Sequence, residues 1–118
     1  MILIVEDQPV TARVIESNLL RAGHECTIAG HGADALEILR QRDDVSLVIT
    51  DVEMPSMDGF SLISELRSNQ QWSKLPIIVV SGHNDIDTVK KAGSLGVRHF
   101  VLKPVIPAKL IETVSQLV

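Results

Sequence analysis

A chain of 118 residues suffices for one compact domain with a real hydrophobic core and leaves no room for a second. Apolar residues make up 45% of it, but no run approaches the length of a membrane span and no charged-then-apolar leader precedes the first strand-like segment, so the protein reads as soluble, unexported and cytoplasmic. The net charge of −4 is uneven: residues 1–88 hold 14 acids against 6 bases, a balance of −8, whereas residues 89–118 hold 5 bases against Glu112 alone, a balance of +4.

In chain order, short apolar runs alternate with longer amphipathic stretches five times over, the pattern of successive βα units around a parallel sheet. Residues 2–6 form an apolar strand ended by acids; Pro9 takes a first-turn position from which Val10, Val14, Ile15, Leu19 and Ala22 recur at helical spacing, and Gly23 stops that helix. A weaker strand at residues 25–29 holds the single cysteine, Cys26, which reads as a buried small hydrophobe and has no partner for an internal disulfide. Residues 32–42 follow as a helix with Ala35, Leu36 and Leu39 on one face.

Residues 46–50 and 75–81 are apolar strands, as expected where helices cover both faces of a sheet. One helix begins near Met57 and packs through Phe60, Ile63 and Leu66; another begins near Asn84 or Asp85 and ends around residues 93–96. The last strand is residues 98–102, followed by a helix opened by Pro107 with Leu110, Ile111, Val114 and Leu117 inward. Right-handed crossovers then predict a flavodoxin-like doubly wound α/β fold, a single (βα)5 domain over residues 1–118 with strand order 2-1-3-4-5. Function is expected at the carboxyl ends of its strands.

Polar groups collect at those ends: Glu6 and Asp7 after the first strand, Asp51 after the third, Ser81 after the fourth, Lys103 after the fifth. Taken singly, each is as well explained by helix capping or a solvated lysine tip. Their coincidence at one rim is what points to a site. The predicted order makes the first and third strands neighbours, so three carboxylates converge and repel unless a cation intervenes. A hard divalent ion that keeps several waters and suits phosphate oxygens, magnesium, fits that donor set. His24, His31 and His99 show no metal-ligand spacing.

With these residues in place, the chain resembles a response-regulator receiver domain from Ile2 to its end. ILIVEDQP resembles the family's first strand with its acidic pair, VITDVEMPSMDGF the acceptor strand and loop, IIVVSGH the hydroxyl strand and HFVLKP the lysine strand. The resemblance implies that Asp51 accepts a phosphoryl group from the phosphohistidine of a sensor histidine kinase or histidine phosphotransfer protein, or from a small phosphodonor. It implies Mg2+ held by Asp7, Asp51 and the backbone carbonyl of Glu53, with Glu6 acting through metal-bound water. Lys103 and Ser81 would hold the other two phosphoryl oxygens, Gly82 would leave space beside them, the Lys103-Pro104 bond would be cis, and Gly59 matches the family's loop glycine while also suiting a helix start.

The signal is expected to leave through Ser81 and Phe100, with the hydroxyl moving toward the phosphoryl group and the ring turning into the vacated space. That remodels the face made by the fourth helix, fifth strand and fifth helix, where Lys90, Lys91, Arg98, His99 and Lys109 suit an output domain or acidic protein partner; with no basic recognition-helix pattern, no direct nucleic-acid binding is expected. Arg98 and His99 before Phe100, and Val105 after Pro104, depart from the pattern by which receivers of winged-helix transcription factors pair. Glu53 and His83 should flank the attacking water and tune autodephosphorylation. On this reading the chain is not an enzyme, catalysing only its own phosphorylation and dephosphorylation. The alternatives are a phosphatase, because Asp51-Val52-Glu53 is loosely similar to the acidic loop of the haloacid-dehalogenase group, and a pseudo-receiver that never turns over phosphate. Leu117 and Val118 end the last helix without a polar tail, as in a piece excised from a longer regulator or hybrid kinase.

Overall fold

The computed structural model describes residues 1–53, 59–82 and 86–118. Five strands, β1 (Ile2–Val5), β2 (Cys26–Ala29), β3 (Leu47–Asp51), β4 (Ile77–Ser81) and β5 (His99–Leu102), alternate with five helices, α1 (Pro9–Arg21), α2 (Gly32–Gln41), α3 (Gly59–Ser68), α4 (Ile86–Ser94) and α5 (Pro107–Ser115). All strand pairs are parallel, in the order β2-β1-β3-β4-β5. This is the flavodoxin-like α/β arrangement that the alternating pattern predicts. The expected starts of α3 at Met57 and of α4 at Asn84 or Asp85 lie outside the described residues.

Side chains alternate between the two faces of a strand, which sorts the core into two layers. Leu3, Val5, Val48, Ile77 and Val79 face α2, α3 and α4, packing with Leu36, Leu39, Leu62, Ile63, Leu66 and Ala92. Ile2, Ile4, Ile49, Ile78, Val80 and Val101 face the other way, onto Ile15 and Leu19 of α1 and Leu110 and Val114 of α5. Emptying one of these fully buried leucine sites, for example Leu62→Ala, costs about 3 kcal/mol in lost transfer energy and residual cavity.

In α1 the structure departs from the sequence pattern. Val10 is 78% exposed, Val14 39% exposed, and Ala22 is also exposed; the buried row is Ala12, Ile15, Asn18 and Leu19. Asn18 can occupy that row because its amide donates to the Val14 carbonyl at 2.8 Å and its oxygen accepts from Arg21 at 2.6 Å, so no polar atom is stranded. Cys26 is half-buried on the edge strand rather than fully enclosed. In α5, Leu110 and Val114 are buried while Ile111 and Leu117 are only half covered. No helix among the described residues is long and apolar enough to cross a membrane.

Candidate functional site

Strand parity decides which side chains meet. Asp51 continues the row Leu47 and Ile49, Glu6 that of Ile2 and Ile4, and Lys103 that of Val101, so all three belong to the α1/α5 side. Ser81 continues Ile77 and Val79 on the opposite side, and Phe100, paired in register with Val79, shares that side with it. The candidate site therefore straddles the top edge of the sheet. Its carboxylates and lysine stand on one flank, and its hydroxyl and aromatic ring on the other.

Glu6, Asp7 and Asp51 each offer a carboxylate oxygen within 4.8 Å of the others. Glu6 and Asp51 are each only 3% exposed. Lys103 reaches across β4 to place Nζ 2.9 Å from Asp51 Oδ2, to which it donates, and 2.7 Å from Glu6 Oε1. Both Asp51 oxygens are engaged, since the Glu53 N–H donates to Oδ1 at 2.9 Å. Ser81 Oγ donates to Glu53 Oε1 at 3.4 Å. The Lys103-Pro104 peptide bond is cis, and the Lys103 N–H donates to the Ser81 carbonyl at 2.9 Å, so β5 leaves the sheet still tied to β4 beside the site.

One ammonium does not balance three carboxylates. Two ionised carboxylates about 5 Å apart repel by roughly 3 kcal/mol at an effective dielectric constant of about 20, and burial adds the cost of lost hydration. Burial, then the facing Asp51, push the Glu6 pKa from the ordinary carboxylate range up to about 7, against the pull of Lys103. Burial works against the charge on Lys103, but its bonds to Glu6 and Asp51 outweigh that and leave its pKa raised. Among the described residues Glu6 Oε2 and Asp7 Oδ1 are buried with no hydrogen-bond partner, and Glu6 Oε1 has only its ion pair with Lys103 at 2.7 Å. Such orphaned hard oxygens in a cluster fit a magnesium ion, whose two charges reverse the sign of the local repulsion.

Of two neighbours that pack on the acceptor, Thr50 was not singled out from sequence and Gly59 was. Thr50 is fully buried and its hydroxyl donates to the Asp51 carbonyl at 2.8 Å; its signal was a polar residue inside an apolar strand. Gly59, the first residue of α3, approaches so closely that a Cβ there would lie 2.2 Å from the Asp51 carbonyl oxygen and 2.7 Å from Val52 Cα. Close packing of a helix start on the acceptor strand is thus a reason for glycine at that position. At Gly82 an added Cβ meets nothing within 4 Å among the described residues. His83 lies outside the described residues. Phe100 is half-buried against the α3/α4 core layer and borders a surface cleft with Leu102, Ile106, Lys109 and Thr113. Lys91 does not point freely from the basic face: its Nζ sits 4.6 Å above the Phe60 ring, joining α4 to α3.

A family model for the response regulator receiver domain matches residues 2–115. The chain belongs to the response-regulator receiver family. It is similar to a chemotaxis protein CheY homolog of Campylobacter jejuni, 34% identical over 112 residues that cover 94% of this chain and 86% of that protein. It is also similar to the rice two-component response regulator ORR24, 38% identical over 105 residues that cover 88% of this chain but 16% of the rice protein. Receivers thus occur nearly alone and as a small part of a longer chain. Among solved structures, a response regulator receiver protein from Pseudomonas putida superposes with a TM-score of 0.91 at 33% identity, covering 98% of this chain and 94% of that one. As a receiver of two-component signalling the chain is not an enzyme in the ordinary sense, and its class implies a histidine kinase as partner. The cluster of Glu6, Asp7 and Asp51 is consistent with a receiver's phosphoacceptor and magnesium site.

Proposed function

We propose that Asp51 is the phosphoacceptor and that the chain passes a two-component signal by taking a phosphoryl group there. The observation that carries this reading is the acidic cluster beside Lys103, in which buried Glu6 Oε2 and Asp7 Oδ1 have no hydrogen-bond partner among the described residues: such oxygens are costly unless used. An Asp51 oxygen attacks the phosphorus of a phosphohistidine; the P–O bond forms as the P–N bond breaks, and the imidazole leaves as a proton reaches its nitrogen. Lys103 exchanges its bond to Asp51 Oδ2 for one to a phosphoryl oxygen, and Ser81 donates to another. Mg2+ held by Asp7, Asp51 and the Glu53 carbonyl, with Glu6 reached through water, would neutralise charge on the remaining oxygen.

Dephosphorylation is the reverse demand: water attacks phosphorus, the acyl phosphate P–O bond breaks, and Asp51 returns as a carboxylate. Glu53 and His83 are assigned to the path of that water. Movement of Ser81 toward the phosphoryl group and turning of Phe100, on the same sheet side, relay the change to the α4-β5-α5 face. There Lys90, Arg98, His99 and Lys109 suit an acidic partner or output domain in the cytoplasm. The donor's surface is argued from exposure instead: Val10 and Val14 share a cleft with Lys103, Pro104 and Val105, an apolar strip bordering the site. A phosphohistidine-bearing partner would cover it while reaching Asp51.

Intact-mass measurement after incubation with magnesium and acetyl phosphate tests the reading, with Asp51→Asn as control. A labile phosphate-sized adduct on the wild type alone supports it. No adduct on folded wild type, with no response to beryllofluoride, rejects it in favour of a receiver fold that works without phosphate.

A further inference from the structure

The Ser81 hydroxyl has one proton to give, and the structure shows where one such bond goes before any phosphoryl group arrives. It donates to Glu53 Oε1 at 3.4 Å from a site only 2% exposed. The Glu53 main chain is meanwhile pinned to the acceptor, its N–H donating to Asp51 Oδ1 at 2.9 Å, while its side chain is exposed. Glu53 is therefore tied by backbone to the nucleophile and by carboxylate to the switch hydroxyl. We infer that the Glu53 carboxylate is a resting acceptor for Ser81 and competes with the incoming phosphoryl oxygen for its proton, acting as a positioning residue that sets how readily the domain switches.

The inference rests on the phosphoacceptor reading and extends it to the state before phosphorylation. A hydroxyl cannot donate to two acceptors at once, so each Ser81–phosphoryl bond must displace the Ser81–Glu53 bond. Charge works in the same direction. A phosphoryl group brings between one and two further negative charges beside a carboxylate that is already there, so the Glu53 side chain must swing outward as the group arrives. Its exposure leaves room for that movement, whereas buried Glu6 has none. Hydrogen-bond competition requires the Ser81 hydroxyl, but simple repulsion does not, and a double-mutant cycle separates the two.

The experiment measures beryllofluoride affinity in saturating magnesium by 19F NMR for wild type, Glu53→Ala, Ser81→Ala and the double variant. These substitutions leave the Glu53 backbone carbonyl in place, and thermal unfolding checks that each variant is folded. Glu53→Ala should tighten binding by roughly fivefold, the scale of one net hydrogen bond, when Ser81 is present, and by no more than about twofold in the Ser81→Ala background. Glu53→Gln, which keeps an acceptor oxygen without the charge, should fall between. In magnesium-free protein the Ser81 amide resonance should move on Glu53→Ala. Equal tightening in both backgrounds would mean that Glu53 acts through its field alone and would overturn the competition. So would unchanged affinity in the Glu53→Ala variant. A wild type that takes neither beryllofluoride nor phosphate removes the phosphoacceptor reading itself, and this inference with it.

Discussion

The two ends of the sheet treat buried charge in opposite ways. At the carboxyl ends of the strands, among the described residues, the carboxylates of Glu6, Asp7 and Asp51 gather around the Lys103 ammonium, and buried Glu6 Oε2 and Asp7 Oδ1 lack hydrogen-bond partners. At the amino ends, the Arg67 guanidinium of α3 is partly buried with its acceptors supplied in full view. Its Nε donates to the Leu95 carbonyl at 2.9 Å, and its Nη1 reaches the carbonyls of Ser73 at 3.1 Å and Leu75 at 2.9 Å, with that of Trp72 at 3.4 Å. Burial lowers the Arg67 pKa, but carbonyl dipoles from two loops receive its protons. One end is built for satisfaction, and there the loops into β4 and β5 are clasped together. The other is left unsatisfied, and there chemistry belongs.

The difference can be broken most severely at the satisfied end. Arg67→Met should cost about 3 kcal/mol, because several partly buried carbonyls lose their donor at once, and urea unfolding would show it as a lower midpoint. Arg67→Lys should recover only part of that, since a single ammonium cannot span both loops. A loss below about 1 kcal/mol would mean that water replaces the guanidinium easily and that the contrast between the ends is overstated.

At the unsatisfied end the sign depends on which charge is removed. Lys103→Met takes away the ammonium and should destabilise the magnesium-free protein by about 3 kcal/mol near pH 8, with most of the loss restored by magnesium. Glu6→Gln should do the reverse. An unfolded value near 4.5 and a folded value of about 7 mean that, between them, the folded protein holds a proton that the unfolded chain has released. Stability is then fully present below about pH 4.5 and is lost as pH rises through about 7. Across that window the magnesium-free wild type should lose about 2 kcal/mol after allowance for Lys103, and Glu6→Gln should flatten the curve. Thermal melts at several pH values with chelator would check this, and a wild-type curve that rises with pH would contradict the assignment.

The smallest effect should come from α4, whose only buried residue is Ala92. Lys91→Ala removes the contact with Phe60 and should cost about 0.5–1 kcal/mol. Its clearer mark would be faster amide exchange confined to α4. Unchanged exchange would show that Arg67, through Leu95 at the foot of that helix, already suffices to hold it.

Much of this contrast was legible in sequence at one end and almost none at the other. Glu6, Asp7, Asp51, Ser81 and Lys103 each stand at or just past the end of an apolar strand, so the alternation of elements was enough to bring them to one rim, and the parallel order then placed β1 beside β3. Arg67 gave no such signal, because its partners are main-chain carbonyls that any sequence supplies and that the loops bring together only in the fold. The facing of α1 was hidden for another reason. Its apolar residues form two rows, and the choice between them turned on Ala12 and a locally satisfied Asn18 rather than on the larger Val10 and Val14. The tight contact between Gly59 and the Asp51 carbonyl is likewise a tertiary distance, visible in sequence only as a glycine near a helix start.

Asp51 stands at the tip of β3, the middle strand, flanked by β1 on one side and β4 on the other. A middle strand is the part of a sheet that opens last, so the nucleophile is mounted on the stiffest member of the molecule. Whatever reports its chemical state must then be supplied by its neighbours, since the anvil itself does not yield. Amide exchange should accordingly remain slowest along Val48, Ile49 and Thr50 in both states, while α4, with one buried side chain, records the difference.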